Sequence, residues 1–465
     1  MSQVREHWSS RFGFIMASIG SAIGLGILWK FPYTVGQNGG GLFLLSYFIC
    51  LILVGIPLFI AELILGRGSQ KAAVKAFETQ DKKGSGWKVA GWFGVLSSFL
   101  IMSFYSVIAG WGMSYVIMSL TGFYQGVKGP DFSQVFDSLS TSGGITLFWH
   151  FLFTLITTMI VTLGVRKGVE YWAKLMTKVL LILLTLLFLY ALSLKGFGPA
   201  VRFIFFPKMS AFNFSSVIEA LGLAFWTLSI GQGIMISYGS YMKREESIPQ
   251  MAGIVAFSVI VVAILTALTI FPIVFTFDLP PQAGPGLIFK TMPTLFAQLP
   301  GSLLISTMFF SLFVFTALTS AIPLIEVVAT NIMELIGWNR KKAVVVVGLS
   351  TFAFGIPSAL ARSHSFFPDW QQIYGMDFLK TIDHLVSIWI IPLGGLITTL
   401  FVGWAMDRKA VKGEFQFGMR FPFLVGPWLF FIRWVVPVTI VVIILQSTGL
   451  LHFDTLFLAK KGVTR

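Results

Sequence analysis

The 465-residue chain is 56% hydrophobic and only 11% charged, with a mean hydropathy of +0.84, a balance that excludes a water-soluble protein and identifies a polytopic membrane protein. A formal net charge of +14 invites nucleic acid as a partner, but the basic residues lie in short segments between apolar runs, where they orient the chain and meet anionic lipid, so no nucleic-acid partner is expected. Cys50 is the only cysteine, which rules out internal disulfides and cysteine zinc sites, and the five histidines show no ligand spacing.

Residues 1–10 are polar and the first apolar run is a full span, so no cleavable signal peptide is expected. Runs of about 20 apolar residues, enough to cross a hydrocarbon layer, predict eleven spans. They lie near 12–36, 41–66, 89–121, 145–165, 172–194, 214–241, 252–277, 302–336, 343–361, 378–405 and 424–448. Basic loops at Arg67 to Lys88, Arg166/Lys167, Lys243/Arg244, Arg340 to Lys342 and Arg408 to Lys412 occupy every second connection, all on one side. That alternation puts the N-terminus in the cytoplasm of a multi-pass inner (cell) membrane protein. An odd number of spans leaves Lys460/Lys461 outside, against the same rule. Residues 278–300 carry five prolines and are too broken to span, which predicts an ordered outer loop with a short re-entrant helix.

The first span contains Gly20-Ser21-Ala22-Ile23-Gly24-Leu25-Gly26. Glycines at that density weaken a helix, each by about 1 kcal/mol relative to alanine. In lipid, freed backbone groups survive only where protein buries them or a wet cavity receives them. Five spans later a second interruption reads Thr227-Leu228-Ser229-Ile230-Gly231-Gln232-Gly233. Glycines in membrane helices also serve close packing. Their matching positions, with Ser21, Thr227, Ser229 and Gln232 among them, favour a binding site between two inverted halves, 12–194 and 214–405, with 424–448 added.

At these residues the chain resembles the neurotransmitter:sodium symporter family, the LeuT-like carriers. The resemblance runs from Arg5-Glu6-His7-Trp8 through Gly20–Gly26, Phe31-Pro32, Asn38-Gly39-Gly40-Gly41, Gly55-Ile56-Pro57, Glu62 and Gly66-Arg67. It continues with Trp226 to Ser229, Gly284-Pro285-Gly286, Ala317 to Ser320 and Pro392-Leu393-Gly394-Gly395. It implies an all-α LeuT-like fold, two inverted five-helix repeats with unwound first and sixth helices, plus an eleventh helix. The function it implies is symport of an amino acid across the membrane by alternating access. Nothing in the chain gathers a nucleophile or a metal cluster, so an enzyme is not expected.

The resemblance assigns the substrate's charged ends to the backbone of Ala22, Leu25, Gly26, Trp226 and Thr227, with Tyr105 on the carboxylate. The remaining pocket would be Gly24, Ile101, Trp226, Ser229, Gln232, Ser320 and Leu324. Gly24 stands where monoamine carriers have an acidic residue, which favours a substrate with its own carboxylate. Gln232 stands where an aromatic residue is usual and could favour a polar or smaller side chain. Lys30 with Asp383 would gate the outside under a Trp226 lid. Arg5 with Glu334, and Trp8 near Tyr241 and Glu326, would close the inside.

A second sodium site would use Gly20, Ile23, Thr316, Thr319 and Ser320. The first loses its two asparagine positions to Ile27 and Val259 and is expected to be empty. The chloride position is also gone, with Leu223 and Ala263 leaving only Tyr47 and Thr227. Lys178 replaces a family proline in the fifth span. An intramembrane lysine is costly and often functional, so Lys178 could approach Thr319 and Ser320 and substitute for the cation; otherwise it snorkels beside Lys174. The expectation is therefore a carrier driven by sodium at the second site alone. The alternatives are a sodium-independent or proton-coupled carrier using Lys178, or a non-transporting amino-acid sensor. Oligomeric state is not legible.

Overall fold

The computed structural model describes residues 6–81, 84, 86–122, 131–207, 213–281, 286–363, 366–448 and 450, without the side chains of 131–133. Among the described residues every regular element is a helix. Nine helices among the described residues are long and apolar enough to span. They are α3 (Gly41–Ser69), α5 (Lys88–Leu120), α7 (Gly143–Thr162), α8 (Val165–Leu192), α12 (Ile248–Thr276), α14 (Ser302–Ile336), α15 (Arg340–Leu360), α17 (378–405) and α19 (Pro422–Ser447). A tenth span is the pair α1 (Arg11–Ala22) and α2 (Gly26–Gln37), bent by 41° between them. An eleventh is α10 (Phe214–Thr227) followed, after six residues, by α11 (Ile234–Ser240). The order of these helices follows the apolar runs of the sequence, nine of them as single spanning helices and the first as a bent pair.

The connecting segments hold structure that hydropathy did not suggest. The basic stretch after α3 contains α4 (Ala73–Gln80), whose Ala73, Val74, Ala76 and Phe77 are buried. Further short helices are α6 (Asp131–Thr141), α9 (Phe197–Phe205), α16 (Trp370–Tyr374) and α18 (Arg408–Gln416). The proline-rich loop holds a short helix where one was expected, α13 (Leu287–Phe296), with Leu287, Ile288, Phe289, Met292, Leu295 and Phe296 buried. The fifth span starts at Val165 rather than 172, because Arg166 and Lys167 occupy its first turn, where long cationic side chains reach out of the apolar layer.

The centre of the bundle is α14 packed on α5. Both are largely enclosed by protein, whereas α7, α8 and α19 turn most of their apolar surface outward to lipid. The two broken spans lie against this pair. Close approach of α11 to α3 is possible only through glycine. A Cβ at Gly66 would fall 2.0 Å from the Ile236 carbonyl oxygen, and one at Gly239 would fall 2.9 Å from the Leu63 carbonyl oxygen. At the same end, buried Arg67 donates to the Glu414 carboxylate at 2.6 Å and to the Glu414 carbonyl at 2.8 Å, fastening α3 to α18.

At the opposite end, Asp137 of α6 accepts from Lys290 of α13 at 2.8 Å and from Arg362 at 2.9 Å. Burial alone would raise the Asp137 pKa, but the hydrogen bonds and charges of Lys290 and Arg362 outweigh it and hold it below its ordinary 3.8. A carboxyl with a depressed folded pKa stabilises above its unfolded pKa, and that contribution disappears as pH falls through the folded value. The side chain is 44% exposed, so Asp137→Asn is expected to cost no more than about 1 kcal/mol. In thermal unfolding the gap to wild type should close as pH drops below 3.8.

Candidate functional site

The last turn of α1 ends because Ile23 leaves helical geometry (ψ 40°) after its N–H bonds the Ile19 carbonyl at 2.8 Å. The chain re-enters helix at Gly26, with the Ile27 N–H on the Gly24 carbonyl at 2.9 Å. In the sixth span, the Ser229 and Ile230 N–H groups bond the Trp226 and Phe225 carbonyls at 3.2 Å each, closing α10. Ser229, Gly231 and Gly233 then take φ values of 53°, 75° and 73°. Glycine carries that geometry freely, while Ser229 is held in it by bonds. Its hydroxyl donates to the Ser21 carbonyl at 3.1 Å and accepts from the Ser21 hydroxyl at 3.0 Å. One serine pair thus stitches the two breaks face to face. The buried Glu62 carboxylate of α3 accepts from the Gly231 N–H at 2.6 Å, and its second oxygen is buried without a partner.

Between the breaks lies a narrow cavity of about 20 Å³ lined by Ser21, Gly24, Leu25, Gly26, Ile101, Tyr105, Trp226, Ser229, Gln232, Ile234, Ser320 and Leu324. Ten of the twelve pocket residues named from the sequence lie on its wall. Ala22 and Thr227 do not, and Ser21 and Ile234 do. Tyr105 accepts from the Leu25 N–H at 3.3 Å. Gly24 is pressed on the opposite wall, since a Cβ there would fall 2.5 Å from Ser320 Oγ. No charged side chain lines the cavity among the described residues.

Trp226 forms part of the wall between this cavity and an adjoining small vestibule that Trp29, Lys30, Tyr33 and Asp383 help to line. The Trp226 indole donates to Ser387 at 3.1 Å. The expected Lys30–Asp383 ion pair is not formed. Lys30 lies 5.4 Å from the Trp226 ring centre and Asp383 accepts from Ser387 at 2.9 Å. A flexible lysine gains more over an indole than across an open vestibule, lacking arginine's planar fork.

Toward the N-terminal end, Trp8 is 1% exposed, with its indole donating to the Tyr238 carbonyl at 3.0 Å and its ring 5.8 Å from that of Tyr241. Tyr241 donates to buried Glu326 at 2.6 Å. Arg340, which the sequence reading did not single out, forms an ion pair with Glu326. Glu334 accepts from the Ala72 N–H at 3.0 Å, while its expected partner Arg5 lies outside the described residues. Two more carboxylates latch the N-terminal segment to α8: Glu6 accepts from the Val165 N–H and Glu170 from the Ser9 N–H, each at 2.7 Å.

Around the residues named for a second sodium site, the Ser320 hydroxyl bonds the Ser21 carbonyl at 2.9 Å and the Gly20 carbonyl at 3.3 Å. Thr319 bonds the Thr316 carbonyl at 2.9 Å. Thr316, Thr319, Ser320, Gly20 and Ile23 are all buried there. At the other position Ile27 and Val259 are fully buried and offer no oxygen. Tyr47 and Thr227 bond each other at 2.7 Å, beside buried Leu223 and Ala263.

Lys178 does not reach Thr319 or Ser320. It is exposed on the outside of α8, with its ammonium 5.7 Å from the Phe12 ring centre. Its neighbour Thr177 faces inward, donating to the Met16 carbonyl at 3.2 Å, with its Oγ1 2.5 Å from where a Gly20 Cβ would sit. The inward stripe of α8 is Ala173, Met176, Thr177, Leu180, Leu184 and Leu187. That helical spacing was the signal that turns position 178 away.

The model of the sodium:neurotransmitter symporter family matches residues 5–126 and 129–457. Among curated proteins the chain is 36% identical to YhdH, an uncharacterized sodium-dependent transporter of Bacillus subtilis (strain 168), over 96% of this chain and 98% of that one. It is 32% identical to an uncharacterized sodium-dependent transporter of Methanocaldococcus jannaschii, over 91% and 87%. The solved structure of MhsT in complex with L-phenylalanine superposes with a TM-score of 0.86 at 36% identity, covering 96% of this chain and all of that one.

Proposed function

The chain belongs to the sodium:neurotransmitter symporter family and is a multi-pass membrane transporter of LeuT-like fold, and on that premise we propose that it carries an amino acid by alternating access, driven by sodium bound at the second site alone. The observation that carries this reading is the uncharged cavity between two helix breaks. With no charged side chain on its wall, a zwitterion's ends are met by peptide dipoles. The start of α2 at Leu25 and Gly26, with Tyr105, receives the carboxylate. The carbonyl end of α10 at Trp226 and Thr227 receives the ammonium. The residues 12–194 and 214–405 act as the two inverted halves, with the site at their junction.

Sodium is the coupled cargo. The carbonyl end of α1 at Gly20 and Ile23 faces the Thr319 and Ser320 hydroxyls, hard neutral oxygens suited to an alkali cation. Each hydroxyl now donates to a carbonyl and can turn its lone pairs to a cation instead. Ile27 and Val259 leave the first site without side-chain oxygens, and the Tyr47–Thr227 bond leaves no spare donor for chloride. The end bearing Trp8, Arg67 and Arg340 is cytoplasmic, as the concentration of basic loops there implies.

The proton-coupled alternative loses its support with Lys178 turned outward. Lys178→Ala is expected to change the sodium concentration for half-maximal uptake, and the maximal rate, by less than about twofold, because no contact to the site is lost. Counterflow of labelled amino acids into proteoliposomes under sodium, proton or no gradient tests the function. Accumulation that needs sodium supports it, full accumulation without sodium rejects the coupling, and binding without exchange would indicate a sensor.

A further inference from the structure

Gln232 is the residue of the cavity wall that the proposed grip on a zwitterion leaves unused. Its backbone is fixed from three sides. The Gly231 N–H is held by Glu62, the Gln232 carbonyl accepts from Ser98 at 2.7 Å, and a Cβ at Gly94 would fall 2.9 Å from the Gly233 Cα. With left-handed glycines on either side, the side chain has one direction to take, and it lines the cavity. Gln232 is 3% exposed and its Nε2 has no hydrogen-bond partner in the protein. The other polar groups of the wall are engaged: Ser21 with Ser229, Ser320 with the Ser21 carbonyl, Tyr105 with Leu25 and Trp226 with Ser387. Ile101, Ile234 and Leu324 are apolar.

A buried amide left empty-handed is costly, so its natural partner arrives with the ligand. We propose that Gln232 is a specificity residue that reads the substrate's side chain, and that the substrate class is the neutral polar amino acids carrying a hydroxyl or carboxamide. An acidic or basic side chain would enter a wall without a countercharge. A hydroxyl or a carboxamide both donates and accepts, so it satisfies whichever end of the Gln232 amide faces the cavity. This inference rests on the reading of the cavity as an amino-acid site.

The test is binding of six amino acids to the purified full chain in sodium, taken as near-isosteric pairs: threonine and valine, asparagine and leucine, glutamine and methionine. The polar member is expected to bind at least about tenfold tighter in one or more pairs, and Gln232→Met, or Gln232→Leu if that variant fails to fold, should erase the margin. If the apolar member binds as well or better in every pair, or if the margin survives both substitutions, the role of Gln232 is overturned while the amino-acid site stands. If none of the six binds, the amino-acid reading fails and the inference falls with it.

Discussion

Glu62→Ala is expected to reduce sodium-driven uptake by about a hundredfold or more. Glu62 sits on continuous helix α3, yet it serves the neighbouring break, accepting from the Gly231 N–H at 2.6 Å. Alanine would leave the Gly231 peptide donor without a partner at the depth where no water replaces it, and such an orphan costs on the order of several kcal/mol. The chain can lower that cost by closing the break into regular helix, which would erase one wall of the cavity. Glu62→Gln keeps one acceptor oxygen and should lose closer to tenfold. Uptake rates in proteoliposomes, beside thermal unfolding of each variant, check both numbers. Wild-type uptake by Glu62→Ala would mean that the break holds itself open.

Thr319→Val combined with Ser320→Ala is expected to raise the sodium concentration needed for half-maximal substrate binding by about a hundredfold, since two of the oxygens offered to a dehydrated ion disappear. Ser320 has a double part. Its hydroxyl spans to the Ser21 and Gly20 carbonyls and lies 2.5 Å from the place of a Gly24 Cβ. The double variant should therefore weaken substrate binding most at low sodium and approach wild type at saturating sodium. Titration of sodium against binding of a saturable amino acid measures this directly. An unchanged sodium curve would remove the second site from the mechanism.

Much of this architecture is written in the sequence because lipid leaves the backbone few choices. Nine of the eleven apolar runs became spanning helices and the first a bent pair, and two glycine clusters became two breaks, where Gly231 and Gly233 take left-handed φ and Gly24 leaves no room for a Cβ. The lining of the cavity came from the resemblance to the LeuT-like carriers. What the sequence hid were rotational and long-range facts. Position 178 differs from 177 by 100° of helix, enough to exchange the interior for lipid, and charge alone does not report that angle. Lys30 and Asp383 stand on the same vestibule but choose other partners, because a pairing depends on side-chain reach. Arg340 finds Glu326 across a helix turn that hydropathy treats as a boundary.

The glycine contacts between α11 and α3 set how any motion must propagate. A helix of seven residues has too few internal bonds to act as an independent lever. With Gly66 against the Ile236 carbonyl and Gly239 against Leu63, α11 is welded along its length to a helix four times as long. Swinging the inner half of the sixth span therefore drags α3 with it, and through Arg67 it pulls on α18. In the alternating access proposed above, α11 would turn at the break from Leu228 to Gly233, with the end of α3 packed on it moving beside it.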